Sequence, residues 1–227
     1  TGSGGGGGGG GRYRLAVCMA EIYLDHVRDL GAAQNEAELG NAVSSIAPQA
    51  GMTSASAGAG LLTGEINLTW HKVRDASEAA ERVSTATQRR VTADNGLNAQ
   101  SSRSHLVVVY ALLGKKGERR GQLALVDLAG SERLGRTEAV GERREEAVSI
   151  NKSLSALGDV LHALIGKAEH VPYRNSKLTS LLQPCLRRGC RVALIVAASP
   201  SHDDAAETVH TLGFGVRARS CALWPLN

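Results

Sequence analysis

Two short polar segments carry the residue types that a site for nucleotide phosphates needs. The first is Asn98-Ala-Gln-Ser-Ser-Arg-Ser-His105, which ends where an apolar run begins. Its adjacent hydroxyls could ligate magnesium and orient a water, and its guanidinium could pair with a carboxylate across the site. A serine-rich turn that caps a strand has the same pattern, so this segment alone leaves both interpretations open.

The second segment is Leu123-Ala-Leu-Val-Asp-Leu-Ala-Gly-Ser-Glu132, an apolar run that ends in Asp127. A carboxylate at the end of a buried strand can hold a magnesium-bound water beside the phosphates. The nearby Gly130 would let a backbone N–H approach a terminal phosphate, because no Cβ stands in the way. A strand that runs into an ordinary turn would also fit, but the two segments together indicate a nucleoside triphosphatase site.

Length and composition are those of a folded globular domain. The 227 residues are 42% hydrophobic and 21% charged, with a net charge of +4, which excludes wholesale disorder, a collagen-like fibre and a histone-like polycation. No apolar run approaches the roughly 20 residues of a membrane helix, and no secretory signal is present, so we expect no membrane partner. The cysteines form no CxxC pair or zinc spacing and are expected to be reduced thiols of a cytosolic protein: Cys18, Cys185, Cys190 and Cys221.

Four runs rich in Val, Leu and Ile predict the strands that would hold the two segments. They cover residues 14–22, 105–113, 122–128 and 191–198. Near-continuous apolar runs are typical of strands covered on both faces. The polar turn at 114–121 predicts that the second and third strands form an antiparallel hairpin.

Apolar residues at spacings of four and three predict a helix over residues 142–164 with one core-facing stripe. The stripe consists of Ile150, Leu154, Leu157, Leu161 and Leu164. Further helices are predicted over residues 75–90, 176–186 and 203–219, and Pro184 should end or kink the 176–186 helix. Strands mixed with helices predict a layered α/β domain.

Several motifs, in this order along the chain, resemble those of the kinesin motor domain. NAQSSRSH at 98–105 resembles switch I, and LVDLAGSE at 125–132 resembles switch II. The match extends to AEIYLDHVRDL at 20–30, SINKSLSALG at 149–158, HVPYRNSKLT at 170–179 and ETVHTLGF at 207–214. The runs LLQPCL at 181–186 and LGDV at 157–160 are similar to the kinesins with C-terminal, mostly minus-end-directed motors.

The resemblance implies an incomplete kinesin motor domain over residues 12–220, with an α/β fold in which a P-loop NTPase-like mixed sheet is flanked by helices. A glycine-rich low-complexity segment at 1–11 would precede it, 48–60 would be a loop or insertion, and 221–227 a C-terminal tail. The implied setting is the cytoplasm and its cytoskeleton.

The implied activity is ATP hydrolysis coupled to movement along microtubules, with ATP and Mg²⁺ as ligands. By the resemblance, Ser102 would ligate magnesium, Ser101 would position the attacking water, and Asp127 would hold a magnesium-bound water.

The resemblance also implies a switch that senses the terminal phosphate. The Gly130 N–H would contact that phosphate, and Arg103 would pair with Glu132, so that the two segments close over it. Such a pair forms only when both loops are ordered, which suits a conformational switch. We expect His105, which opens a buried strand, to be a hydrogen-bonded structural residue and not a catalytic base.

Basic residues predominate between 167 and 191 and predict a surface for an acidic partner whose attraction weakens with salt. They are Lys167, Arg174, Lys177, Arg187, Arg188 and Arg191, against Glu169 alone among acidic residues. The resemblance names the partner as the microtubule and places its contacts at Asn151, Lys152, Tyr173, Arg174 and Lys177. A solvated face of a basic protein is the alternative. Nucleic acid is disfavoured because aromatic residues, which stack on bases, make up only 3%.

One family motif is missing. The P-loop pattern GxxxxGK[ST], whose amides cradle phosphates, does not occur, and Thr1-Gly-Ser-Gly4 runs into glycines where Lys and Thr should follow. The central strand and the P-loop helix are expected to be absent with it. Two functions stay open: an ATP-driven motor of which this is a portion, and a non-catalytic microtubule-binding module. A small GTPase is disfavoured, because Leu154 stands where its NKxD motif needs Asp.

Overall fold

The computed structural model describes residues 13–32, 42–43, 66, 68–92, 103–130, 142–187 and 189–219. The strands of this part are β1 (Arg14–Tyr23), β2 (His26–Asp29), β3 (Ala42–Val43), β4 (Trp70–Val73), β5 (His105–Leu113) and β6 (Arg119–Asp127). The helices are α1 (Ala76–Thr92), α2 (Glu142–Ile165), α3 (Lys177–Leu182) and α4 (Ala205–Arg219), with a 3-10 turn at Tyr173–Asn175. The predicted α/β fold is confirmed, as are three of the four predicted strands and all four predicted helices.

The strands form one sheet in the order β3-β4-β1-β5-β6, with β2 paired to β1. Every pairing between described strands is antiparallel, so these strands supply no parallel part of the predicted mixed sheet. The predicted hairpin is confirmed: β5 and β6 pair with Leu106 opposite Asp127. The start of β5 and the end of β6 therefore lie side by side.

Side chains of β1 alternate between two apolar layers, as the period of a strand requires. On one face, Cys18, Ala20 and Ile22 pack with α2 and α3 residues such as Val160 and Leu178. On the other face, residues such as Val17 and Met19 pack against α1. The core thus sits on both sides of β1 and β5, which explains their near-continuous apolar sequences.

Capping residues set two of the helix starts. The Asp75 carboxylate accepts the Glu78 N–H at 2.9 Å ahead of α1. The Ser176 hydroxyl accepts the Thr179 N–H at 3.1 Å and completes a capping box at the start of α3. α3 ends at Leu182, before Pro184, so the helix predicted over 176–186 is shorter than expected.

The prediction of a strand over residues 191–198 is wrong. The segment has no regular structure and forms no ladder with any described strand, and Ile195 is 93% exposed. An apolar run becomes a strand only when a neighbouring strand accepts its hydrogen bonds, and none of the described strands does so here.

The expectation that residues 122–128 are covered on both faces is also wrong. Ala124 and Val126 pack against the core, whereas Leu123 and Leu125 are 56% and 51% exposed. β6 is the last strand in the order of the described sheet, and Leu123 and Leu125 alternate along it with Ala124 and Val126, so they lie on its opposite face. Its leucines therefore face outward although the run is apolar.

Candidate functional site

The two polar segments meet at one end of the β5–β6 hairpin. Arg103 and Ser104 immediately precede β5. Asp127 is the last residue of β6, and the chain continues from it to Gly130. The hairpin register puts these ends next to each other. Ser101, Ser102 and Glu132 lie outside the described residues, so their predicted roles and the Arg103–Glu132 pair stay predictions.

Arg90, in the last turns of α1, joins the two segments. Its side chain is only 5% exposed. The Nη2 donates to the Ser104 carbonyl oxygen at 2.6 Å, the Nε donates to the Ser104 hydroxyl at 3.1 Å, and Nη1 lies 3.4 Å from the Asp127 carboxylate. One buried guanidinium therefore holds the backbone before β5 and the carboxylate at the end of β6 in a fixed relation.

Glu21 balances the Arg90 charge from within β1. Its Oε1 lies 3.4 Å from the Arg90 Nε and accepts the Ser104 hydroxyl at 2.7 Å, and Arg28 lies 3.7 Å from the other oxygen. Sequence reasoning assigned no site role to Glu21, Arg90 or Ser104. A signal was present for Glu21, because a lone carboxylate inside the apolar run of β1 can be buried only with partners.

His105 connects the second segment to helix α2. Its Nδ1 accepts the Ala129 N–H at 2.9 Å, and its Nε2 lies 2.8 Å from the Ser153 hydroxyl. Burial, reinforced by the Arg90 charge and opposed by Asp127, lowers the His105 pKa to about 4. The ring is therefore neutral, with the proton on Nε2 shared with Ser153. The expectation that His105 is a hydrogen-bonded structural residue agrees with these contacts.

Arg103 connects the first segment to the same helix. Its Nη1 lies 2.6 Å from the Glu146 Oε2, and the Tyr23 hydroxyl donates to Glu146 Oε1 at 2.7 Å. Glu146 lies in the first turns of α2 and is nearly buried. Sequence reasoning missed Tyr23 and Glu146. Two independent links, through Arg103 and His105, thus tie the polar segments to α2.

Of the two predicted magnesium ligands, Ser102 and Asp127, the structure describes only Asp127. The surroundings of Asp127 are compatible with a magnesium ion. The Asp127 side chain is 70% exposed, with Oδ2 turned toward Arg90. Mg²⁺ keeps several waters and takes one or two protein oxygens, so an accessible carboxylate at a strand end fits it. Gly130 follows as a half-buried residue without regular structure.

The predicted track contacts lie on α2 and on the segment that follows it. Asn151 and Lys152 are exposed on α2, and Arg174 and Lys177 are exposed at the 3-10 turn and the start of α3. Tyr173 differs, because it is half-buried and its hydroxyl donates to the Leu186 carbonyl oxygen at 2.5 Å. Burial, with a smaller effect of Cys190, raises the Tyr173 pKa. Tyr173 thus also has a packing role.

None of the helices in the described ranges is both long and apolar enough to cross a lipid bilayer.

Comparison with known proteins gives one family. The model for "Kinesin motor domain" matches residues 10–221. The kinesin heavy chain of Neurospora crassa is 42% identical over 213 residues, 92% of this chain and 21% of that protein. The kinesin-like protein KIN-14M of Oryza sativa is 42% identical over 215 residues, 93% of this chain and 17% of that protein.

A solved structure has the same fold. The C-terminal motor domain of Kar3 from Candida glabrata is 31% identical and superposes with a TM-score of 0.64 over 91% of this chain and 57% of that one. The chain thus spans about a fifth of the two curated relatives and somewhat over half of this motor structure.

Proposed function

This chain belongs to the kinesin motor domain family, and on that premise we propose that it is the part of an ATP-driven microtubule motor that carries both switch segments and the track-binding surface. The observation that carries the proposal is the meeting of the two segments at one end of the β5–β6 hairpin, where Arg103 and His105 link them to α2. Phosphoryl transfer depends mainly on positioning and charge stabilisation, which such fixed loops provide.

In this proposal ATP is the substrate and Mg²⁺ accompanies it. Ser102 supplies a hydroxyl ligand, Asp127 holds a metal-bound water, and Ser101 orients the attacking water. The bound ion would neutralise charge that develops on the transferring phosphoryl group. Arg90 restrains Asp127 from the protein side, since its guanidinium lies 3.4 Å from that carboxylate.

We assign Arg103 two alternative partners. In the present structure it pairs with Glu146 of α2. With the terminal phosphate in place, Arg103 would pair with Glu132 and the Gly130 N–H would contact the phosphate. Exchange of Arg103 between the two carboxylates would free Glu146, so that the presence of the phosphate changes how α2 is held. This two-state element is what coupling between distant sites requires.

The track-binding surface consists of Asn151, Lys152, Tyr173, Arg174 and Lys177. α2 connects it to the nucleotide side, because the 3-10 turn and α3 pack directly against that helix. Its exposed cations suit an acidic partner such as the microtubule. We therefore expect binding that weakens as salt increases.

A non-catalytic microtubule-binding module is the second candidate function. The absence of GxxxxGK[ST] from the sequence favours it, because that motif supplies most of the backbone donors that hold ATP phosphates. The two candidates share the track-binding surface and differ in ATP hydrolysis and in whether nucleotide changes the affinity for microtubules.

Microtubule co-sedimentation of the purified chain tests both candidates. We expect the chain to pellet with microtubules at low salt. The double variant Arg174→Ala/Lys177→Ala should weaken binding about tenfold, the effect of losing roughly 1.4 kcal/mol of interaction. The control Lys115→Ala/Lys116→Ala removes the same charge from exposed residues of the β5–β6 turn and should change affinity less than about twofold.

Nucleotide then separates the motor from the module. If ATP and ADP shift the affinity differently, the chain senses the terminal phosphate as the motor proposal requires. If both nucleotides leave binding unchanged and a fluorescent ADP analogue does not bind, the module interpretation holds. Equal binding by the track-surface variant and the unmodified chain would contradict both candidates.

A further inference from the structure

Two cysteines lie in one tight turn after α3. Cys185 and Cys190 are both half-buried. The turn is closed by the Cys190 N–H, which donates to the Arg187 carbonyl oxygen at 3.1 Å, and Gly189 adopts a φ of +85° that favours glycine. The chain therefore doubles back between the two cysteines.

This reversal brings the Cys190 thiol to the backbone of Cys185. The Cys190 Sγ lies 3.3 Å from the Pro184 carbonyl oxygen, which belongs to the peptide that joins Pro184 to Cys185. The Cys185 Sγ accepts a hydrogen bond from the Gln122 side chain at 3.2 Å. Both sulfurs thus sit in polar contacts on the same turn, and neither is locked inside the apolar core as Cys18 is.

From this placement we propose that Cys185 and Cys190 are a reversible redox pair that forms an intramolecular disulfide when the protein meets a peroxide. A disulfide needs Cα atoms about 4.4–6.8 Å apart. The contact between the Cys190 Sγ and the Pro184 carbonyl oxygen places that sulfur beside the backbone N–H side of Cys185, and the turn closed by the Cys190 N–H keeps the two residues on one loop.

The electrostatics around the pair support the proposal. Burial raises the pKa of the Cys185 thiol, and the nearby Cys190 sulfur adds to the rise, while Gln122, Arg119 and Arg187 oppose it. Because burial disfavours the Cys185 thiolate, the first attack on the oxidant belongs to Cys190.

The chemistry balances with hydrogen peroxide as the oxidant. The Cys190 thiolate attacks one peroxide oxygen, the O–O bond breaks and hydroxide leaves, so that Cys190 becomes a sulfenic acid and the hydroxide takes up the proton released by the Cys190 thiol to form one water. The Cys185 thiolate then attacks the Cys190 sulfur, the S–O bond breaks as the S–S bond forms, and the departing hydroxide takes up the proton released by the Cys185 thiol to give a second water. Two thiols lose two electrons and two protons, and the peroxide is reduced to two waters. A cellular dithiol would reverse the reaction by exchange.

Peptide mapping of the intact 227-residue chain tests this site. The chain is treated with hydrogen peroxide, free thiols are blocked with iodoacetamide, and trypsin digestion follows without reductant. Because trypsin cleaves between the two cysteines, the proposal expects the peptide 178–187 joined to the peptide 189–191. The joined species should be two hydrogens lighter than its parts and should disappear with dithiothreitol.

Variants and a denatured control make the result decisive. Cys185→Ser or Cys190→Ser should abolish the joined species, and Cys18→Ser should leave it unchanged. In concentrated guanidinium chloride it should form at least about tenfold more slowly, because the turn no longer holds the sulfurs together. Complete alkylation of both cysteines after peroxide, pairing of Cys190 with a different cysteine, or equal rates in native and denatured protein would each overturn the proposal. None of these readouts depends on ATP or microtubule binding.

Discussion

The Arg103 guanidinium and the Glu146 carboxylate form an ion pair of 2.6 Å that joins the segment before β5 to the first turns of α2. The pair is largely shielded, since the two side chains are 22% and 11% exposed. Tyr23 of β1 donates to the second carboxylate oxygen. The position of α2 is therefore set by the same arginine that lies beside the proposed nucleotide site.

Replacing Glu146 with Gln should destabilise the fold while keeping its shape. The amide oxygen can still accept the Tyr23 hydroxyl, but the charge that balances Arg103 is lost. We expect the free energy of unfolding to fall by about 2 kcal/mol, between the values for exposed and buried pairs. Urea denaturation measures this. Glu145→Gln changes the exposed neighbouring carboxylate and should be nearly neutral; an equal effect of both variants would contradict the assigned role of Glu146.

Sequence patterns predicted those strands and helices whose formation depends on the residues of the element itself. β1, β5 and α2 were found because each carries its apolar pattern within its own residues. The run at 191–198 has the same pattern but no ladder partner among the described strands, and whether a neighbouring strand is present depends on residues outside the run. Asp127 could be recognised from the end of its apolar run. Arg90 and Glu146 could not, because each acts through contacts with residues far away in sequence.

Replacing Arg90 with Met should be strongly destabilising. Glu21 would be left nearly buried without its principal counter-charge, and the two hydrogen bonds that Arg90 donates to Ser104 would be lost. We expect a loss of about 4 kcal/mol in the free energy of unfolding, by thermal or urea denaturation. The surface variant Arg82→Ala, which breaks a 3.9 Å pair with Glu78, should cost less than about 1 kcal/mol.

A double variant tests whether the Arg90 effect is electrostatic. Combining Arg90→Met with Glu21→Leu removes both buried charges, so part of the lost stability should return. If the two substitutions were simply additive, the Arg90 contribution would come from packing and not from its charge.

Stability should fall as the solution is acidified from neutral pH, and His105 should be a main cause. Its pKa is about 4 in the folded protein against a usual 6.5, so the unfolded chain binds the extra proton between these values. The contribution of the neutral His105 side chain to the free energy of unfolding is fully present above pH 6.5 and is lost progressively toward pH 4. The loss is about 3 kcal/mol in all.

The variant His105→Gln isolates this titration. Urea denaturation at a series of pH values should give a shallower dependence between pH 6.5 and 4 than the unmodified chain, although the variant is less stable at pH 7. His162→Gln alters an exposed histidine of α2 and should keep the full slope. An unchanged slope for His105→Gln would show that other groups cause the acid sensitivity.

Two glycines of α4 should respond in opposite ways to alanine. At Gly213 a new Cβ would meet only the Arg217 side chain at 3.8 Å, so the variant should gain up to about 1 kcal/mol from higher helix propensity. At Gly215 the Cβ would lie 3.0 Å from the Val196 Cγ2, and crowding should cancel that gain. Val196→Ala should restore the gain to Gly215→Ala, as measured by thermal unfolding. If Gly215→Ala stabilised the chain as much as Gly213→Ala does, Val196 and the segment 191–198 would not lie against α4.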